Sequence, residues 1–130
     1  MKLKIMNLYV DDQDRALKFY TEKLGFQKKT DVGAGGYRWL TVTTAEQPDG
    51  PELQLAANAT PVAKAYQQGL REQRTPAAMF FVDDIAADYE RLSKSGVHFT
   101  IPVTKTTGSR IAMLDDTCGN LIQLTQLEWG

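Results

Sequence analysis

The chain has 130 residues, 42% apolar and 24% charged, enough for one domain with its own core and typical of a globular protein rather than a disordered or membrane-embedded one. Lys plus Arg number 15 and Asp plus Glu 16, a net charge of -1 with no basic run, so neither nucleic acid nor a membrane is expected as partner. Cys118 is the single cysteine, which excludes an internal disulfide and a thiolate zinc cluster, and the apolar run of "MKLKIMNLYVDD" is too short for a signal peptide; a cytoplasmic location is expected.

In chain order, "IMNLYV" alternates as a strand and is followed by Asp11 and Asp12, the second of which is placed to cap a helix. That helix carries Ala16, Leu17, Tyr20 and Leu24 on one face and ends at Gly25. Strands are predicted over Gln27 to Thr30, Tyr37 to Thr43 and Leu53 to Ala57, separated by the turn-rich "DVGAGGY" and "TTAEQPDGP". "ATPVAKAYQQGLREQRTP" reads as a connecting helix, capped by Thr60, begun by Pro61, and facing Val62, Ala65, Tyr66 and Leu70 inward. From Ala77 the pattern repeats. A strand ends in Val82, Asp83 and Asp84; a helix with Ile85, Tyr89 and Leu92 on one face closes at Gly96; strands follow over His98 to Ile101, Arg110 to Leu114 and Leu121 to Gln126.

Val10, Asp11 and Asp12 thus recur as Val82, Asp83 and Asp84, Gly25 as Gly96, and Gln54 as Gln123. The echo makes each half a β-α-β-β-β unit, and such a duplication decides the fold. One domain over residues 1–130 is expected: module one at 1–58, the connecting helix at 59–76 and module two at 77–130.

The order and double occurrence of Val10, Asp12, Phe19, Tyr20, Leu24, Gly25, Phe26, Val82, Asp84, Gly96, Asp116, Gly119 and Asn120 resemble the glyoxalase, bleomycin-resistance and dioxygenase superfamily, the vicinal oxygen chelate proteins. The resemblance implies an α+β fold in which two tandem βαβββ modules form a cup-shaped mixed sheet, a partial barrel with helices outside. It also implies a ligand cavity on the concave face and, in active members, one divalent metal held by the first and last strands of each module. The matching positions here are Ile5, Gln54, Ala77 and Gln123. Two lack a donor atom and two are neutral amides, so no metal and no cofactor are expected.

His98 is the only histidine, which rules out an extradiol dioxygenase site built on two imidazoles and a carboxylate. A rearranged site using His98, Glu52 and Gln54 is the remaining way to hold an ion. Cys118 reads as a turn residue rather than a nucleophile.

Strand alternation turns Ile5, Asn7, Tyr9, Tyr37, Trp39, Thr41, Ala77, Met79 and Phe81 toward the cup, with Glu52, Gln54, Leu121, Gln123 and Thr125. Aromatic faces with sparse polar groups suit a small organic molecule. The candidate ligand-binding residues are Asn7, Tyr9, Trp39, Gln54, Met79, Phe81, Arg110 and Gln123, Arg110 standing at the rim as an anion partner. The two glutamines either form part of the pocket wall or hydrogen-bond to one another or to water across the cup. The resulting expectation is a metal-independent small-molecule-binding protein, a homodimer as relatives of this size commonly are. The alternatives are a lyase or isomerase of the lactoylglutathione type with a displaced metal, which leaves the question of enzyme activity open, and a dimeric accessory module with a filled cup.

Overall fold

The computed structural model describes residues 1–128; the final two positions of module two, 129–130, lie outside the described residues. The elements are β1 (Ile5–Val10), α1 (Gln13–Lys18), a π-helical turn that continues it (Phe19–Lys23), β2 (Gln27–Ala34), β3 (Tyr37–Thr43), β4 (Glu52–Ala57), α2 (Pro61–Glu72), β5 (Ala78–Phe81), α3 (Ile85–Lys94), β6 (Phe99–Thr106), β7 (Ser109–Asp115) and β8 (Leu121–Leu127). Asp12 and Asp84 cap the two module helices as the sequence predicts, accepting from the Arg15 and Ala87 N–H groups at 3.0 and 3.1 Å. β2 runs past its predicted end at Thr30 because the turn needs only Gly35 and Gly36, whose φ angles of 59° and 79° are those of a two-residue hairpin. β6 likewise extends to Thr106, where Thr107 and Gly108 turn the chain.

Each module builds one four-stranded sheet, in the orders β1-β4-β3-β2 and β5-β8-β7-β6, with the first strand of each parallel to the last and the remaining pairs antiparallel. Among the described residues no strand pairing joins the sheets, which form an open cup rather than a closed barrel. The fold is α+β, two tandem βαβββ modules with the helices outside.

The helix-facing sides of both sheets share one core. Leu8, Val10, Leu40, Val42 and Leu55 from the first meet Ala112, Leu114, Ile122 and Leu124 from the second, with Ala16, Tyr20, Ile85 and Leu92 from the helices. The π turn brings two consecutive aromatics, Phe19 and Tyr20, into that core. Tyr20 packs edge-on and Phe26 at a tilt against Phe80 of β5, with centroids at 6.4 and 5.0 Å, so the first module's helical segment packs directly on the second module's sheet.

A buried polar seam holds the modules in register. The Asp116 carboxylate accepts from Tyr20 Oη at 2.7 Å, from Asn120 Nδ2 at 2.8 Å, and from the Cys118 and Asn120 N–H groups at 2.7 and 3.0 Å. Hydrogen bonds to a charged acceptor are each worth about 1.5 to 3 kcal/mol net, which is why such a carboxylate tolerates burial without a cation. Gln67 of α2 extends the seam: its Nε2 lies 2.9 Å from the Tyr9 carbonyl, 3.0 Å from that of Cys118 and 3.1 Å from Asn120 Oδ1, while its Oε1 accepts from Asn58.

That network overturns the predicted orientation of α2. Its buried residues are Ala63 and Gln67, whereas Val62 and Tyr66 are 79% and 58% exposed. Apolar periodicity selected the wrong stripe because the helix is turned by the polar partners awaiting Gln67 on both modules.

Candidate ligand site

The register of β1, β3 and β4 settles which side chains share the concave face of the first sheet. Asn7 lies opposite Gln54, Ile5 opposite Glu52, Tyr9 opposite Ala56, and Thr41 opposite Gln54. Tyr37, Trp39 and Thr41 alternate with the core residues Leu40 and Val42, so they belong to the same face. Gln54 is buried at 4% exposure and its Nε2 donates to the Tyr37 hydroxyl at 2.6 Å. Thr41 donates to Glu52 at 2.8 Å. Tyr9 packs edge-on against Tyr66 of α2, centroids 6.3 Å apart, which brings the connecting helix to one end of this face.

On the second sheet Met79 lies opposite Gln123 and Phe81 opposite Thr125, with Met113 on the far side of Gln123. Gln123 Nε2 donates to Thr125 Oγ1 at 3.1 Å and touches Met79 Sδ at 3.9 Å. Met79 and Phe81 are 54% and 62% exposed. Each glutamine therefore finds its partner within its own sheet, and the alternative in which the two bond to one another is not realised.

One predicted position requires correction. Arg110 lies opposite Gln126 and alternates with Ile111, which faces Thr125, so it occupies the helix side of its sheet rather than the cup rim. There its Nε donates to Glu128 at 2.8 Å. Arg38 likewise sits on the helix side, clamped by both Asp31 oxygens at 2.9 Å and by Asp14 at 2.6 Å; these hydrogen bonds hold its guanidinium charged, above its ordinary value. Both arginines follow the parity of their strands. A rim position would have required the opposite one.

A divalent metal does not fit these faces. Ile5 and Ala77 offer no donor, Gln54 and Gln123 are neutral amides already engaged with neighbours, and no three His, Cys, Asp or Glu side chains converge among the described residues. His98 is exposed at the start of β6, where its carbonyl accepts the Asp115 N–H, while Glu52 and Gln54 belong to β4 of the other sheet. Cys118 is fully buried, and burial, followed by the nearby Asp116 charge, pushes its thiol up to about 11, leaving it protonated and unreactive at neutral pH.

A cavity of about 510 Å³ opens where the modules meet, lined by Met6, Phe26, Leu53, Phe80, Met79 and Phe81 together with the charged Glu46, Asp88 and Arg91. Its size falls in the range of small-molecule sites. It includes two of the predicted residues, Met79 and Phe81, and excludes Asn7, Tyr9, Trp39, Gln54 and Gln123, which remain on the open sheet faces. Sequence reasoning missed Tyr37 as the partner of Gln54; the signal was its place on the cup side of β3, two residues before Trp39.

Comparison with known proteins agrees with this architecture. The model of the Glyoxalase/Bleomycin resistance protein/Dioxygenase superfamily matches residues 2–124. YurT of Bacillus subtilis (strain 168), an uncharacterised protein, is 50% identical over 126 residues, covering 97% of this chain and 99% of YurT. The crystal structure of UcmS2 superposes with a TM-score of 0.84 at 31% identity, covering 96% of this chain and 97% of that one. TnmS3, an antibiotic binding protein from Streptomyces sp. CB03234, superposes at 0.78 with 27% identity, covering 98% and 96%. With a duplicated βαβββ fold and a family match over nearly its whole length, the chain belongs to the glyoxalase/bleomycin resistance protein/dioxygenase superfamily.

Proposed function

We propose that this protein binds a small aromatic organic molecule without a metal, using the cup faces of its two modules as a single functional domain in a cytoplasmic homodimer. The observation that carries the reading is the pairing of a degenerate metal set with an exposed apolar surface. The positions at which metal-using relatives hold an ion are Ile5, Gln54, Ala77 and Gln123, while Tyr37, Met79 and Phe81 on the same faces are 54%, 54% and 62% exposed. Exposed apolar side chains in such number mark a binding or subunit surface. The antibiotic-binding activity of TnmS3 supports the ligand class.

The test is a thermal-shift screen of EDTA-treated protein against planar antibiotics and aromatic metabolites. A ligand at 100 times its Kd stabilises the native state by about 2.7 kcal/mol, so at least one compound is expected to raise Tm by several degrees, with Trp39→Ala and Phe81→Ala each weakening the response tenfold or more. No response across the panel overturns the reading. So does stoichiometric Zn²⁺ or Ni²⁺ that confers isomerase activity.

A further inference from the structure

The polar groups of the cup are not neutral in what they ask of a ligand. Gln54 is a buried amide on the first sheet's concave face, and one of its two N–H donors is committed to the Tyr37 hydroxyl at 2.6 Å. Its Oε1 has no hydrogen-bond partner among the described residues. Tyr37 accepts that bond through its oxygen and so keeps its own O–H proton to give away. Gln54 Oε1 and the Tyr37 O–H therefore offer an acceptor and a donor to the same ligand group, beside the second Gln54 N–H.

The rest of the face biases that opening further. Glu52 shares the face and carries a carboxylate that takes the Thr41 proton. Gln123 on the second sheet is oriented the same way as Gln54. Its Nε2 faces Thr125 Oγ1 and Met79 Sδ, and because a thioether carries no proton, the amide end turned toward it is the N–H₂, leaving Oε1 as the free acceptor. The nearby strand cations do not offset this: Arg38 and Arg110 lie on the helix sides of their strands and are held by Asp31, Asp14 and Glu128. Lys28 and Lys105 pair in register with Val42 and Arg110, also on the helix sides.

From this arrangement we infer that the cup selects an uncharged hydroxyl on an aromatic ring. A hydroxyl is both donor and acceptor on one oxygen, so its proton serves Gln54 Oε1 while its lone pair takes the Tyr37 proton, and the cycle Gln54 to Tyr37 to ligand to Gln54 closes with both the amide carbonyl and the phenol proton satisfied. An ether or a quinone carbonyl accepts from Tyr37 and leaves Gln54 Oε1 desolvated without a partner, a penalty a site built for a hydroxyl uses to reject its analogues. A carboxylate accepts at one end and meets the Gln54 carbonyl and the Glu52 charge at the other. The inference rests on the ligand-binding reading above and names the ligand class within it.

The experiment uses the full chain and three probes of one shape: 2,6-dihydroxynaphthalene, 2,6-dimethoxynaphthalene and naphthalene-2,6-dicarboxylate, titrated at pH 7 by calorimetry or tryptophan fluorescence. The diol is expected to bind at least tenfold more tightly than the diether, with the dicarboxylate weakest. Tyr37→Phe is expected to weaken both the diol and the diether, the diol more, and Gln54→Leu to weaken the diol while sparing the diether the unpaired carbonyl, so that each brings the diol to within about threefold of the diether. Tyr37 is half-exposed, so its conservative variant tests the cycle without threatening the fold. Three probes that bind within threefold of one another, or a diol preference that survives both substitutions, overturn the inference while leaving the ligand-binding reading in place. Binding of none of them, alongside a silent antibiotic screen, overturns both.

Discussion

At the scale of single residues, the sharpest constraint is Gly119. Its φ of 98° lies where only glycine is unstrained, and a Cβ there would meet Gln67 Nε2 at 2.6 Å and Cδ at 2.8 Å. Gly119→Ala combines backbone strain with overpacking and is expected to cost about 3 kcal/mol, read from the shift of a urea unfolding midpoint at constant m. The same substitution in a Gln67→Ala background should cost measurably less, because the two sites share one clash; equal costs would show that strain alone accounts for it. The adjacent acids titrate in opposite senses. Burial resists the ionisation of Asp115, but Arg71 at 2.6 Å and the Thr117 N–H hold its carboxyl below the ordinary range. Its contribution is therefore present above the unfolded pKa and lost as pH falls through the folded one. Solvent screening keeps it within about 1 kcal/mol. Burial raises Asp116 despite its four donors, so its contribution is complete below the unfolded pKa and lost as pH rises through the folded one. Unfolding curves between pH 3 and 7 should show the deficit of Asp115→Asn shrinking on acidification and that of Asp116→Asn growing; parallel profiles for the two variants would contradict this.

At the scale of elements, the repeated Val-Asp-Asp shows why a short motif can be read with assurance. Asp12 and Asp84 each sit at the first turn of a helix, where orphan N–H groups and the positive end of the dipole meet a short carboxylate, and both caps form. Asp12→Ala and Asp84→Ala are expected to destabilise by about 1 kcal/mol each, and Ser in either place to recover most of it, as measured by thermal or denaturant unfolding. The connecting helix shows the opposite case. Its apolar residues define a plausible inward stripe, yet Val62 and Tyr66 are exposed and Gln67 is buried. Periodicity measures the preference of an isolated helix for an apolar surface. It does not know that the surface waiting for α2 consists of backbone carbonyls and two asparagines.

At the scale of the whole molecule, exposed apolar side chains along β1 and β5 set the expectation of assembly. Met79 and Phe81 stand beside a free edge of β5, which pairs only with β8, and Met6 is 58% exposed on β1, which pairs only with β4. Apolar side chains along two unpaired strand edges are what a second copy would cover. Light scattering is expected to give the mass of a dimer, and Phe81→Glu to shift it toward 14.5 kDa, the mass of one chain; a stable wild-type monomer would remove the homodimer from the proposed function.

The duplicated module, its strand order of pattern and turn, the capped helices and the missing metal donors were all legible in the amino-acid sequence. Each depends on local chemistry or on which residue types are present, and neither changes when the chain folds. Face assignments within strands were legible too, since alternation carries Gln54, Trp39, Met79 and Gln123 to the concave sides. What the sequence alone left open was everything set by contacts between distant segments. The same alternation that placed the cup residues also turned Arg110 away, but only the pairing of β7 with β8 fixed its parity against a known face. Whether the two glutamines met each other, which polar atoms turned α2, and that Tyr37 takes the donor end of Gln54 were decided by tertiary packing, because a buried hydrogen-bonding group is satisfied by whatever partner the folded chain brings within reach.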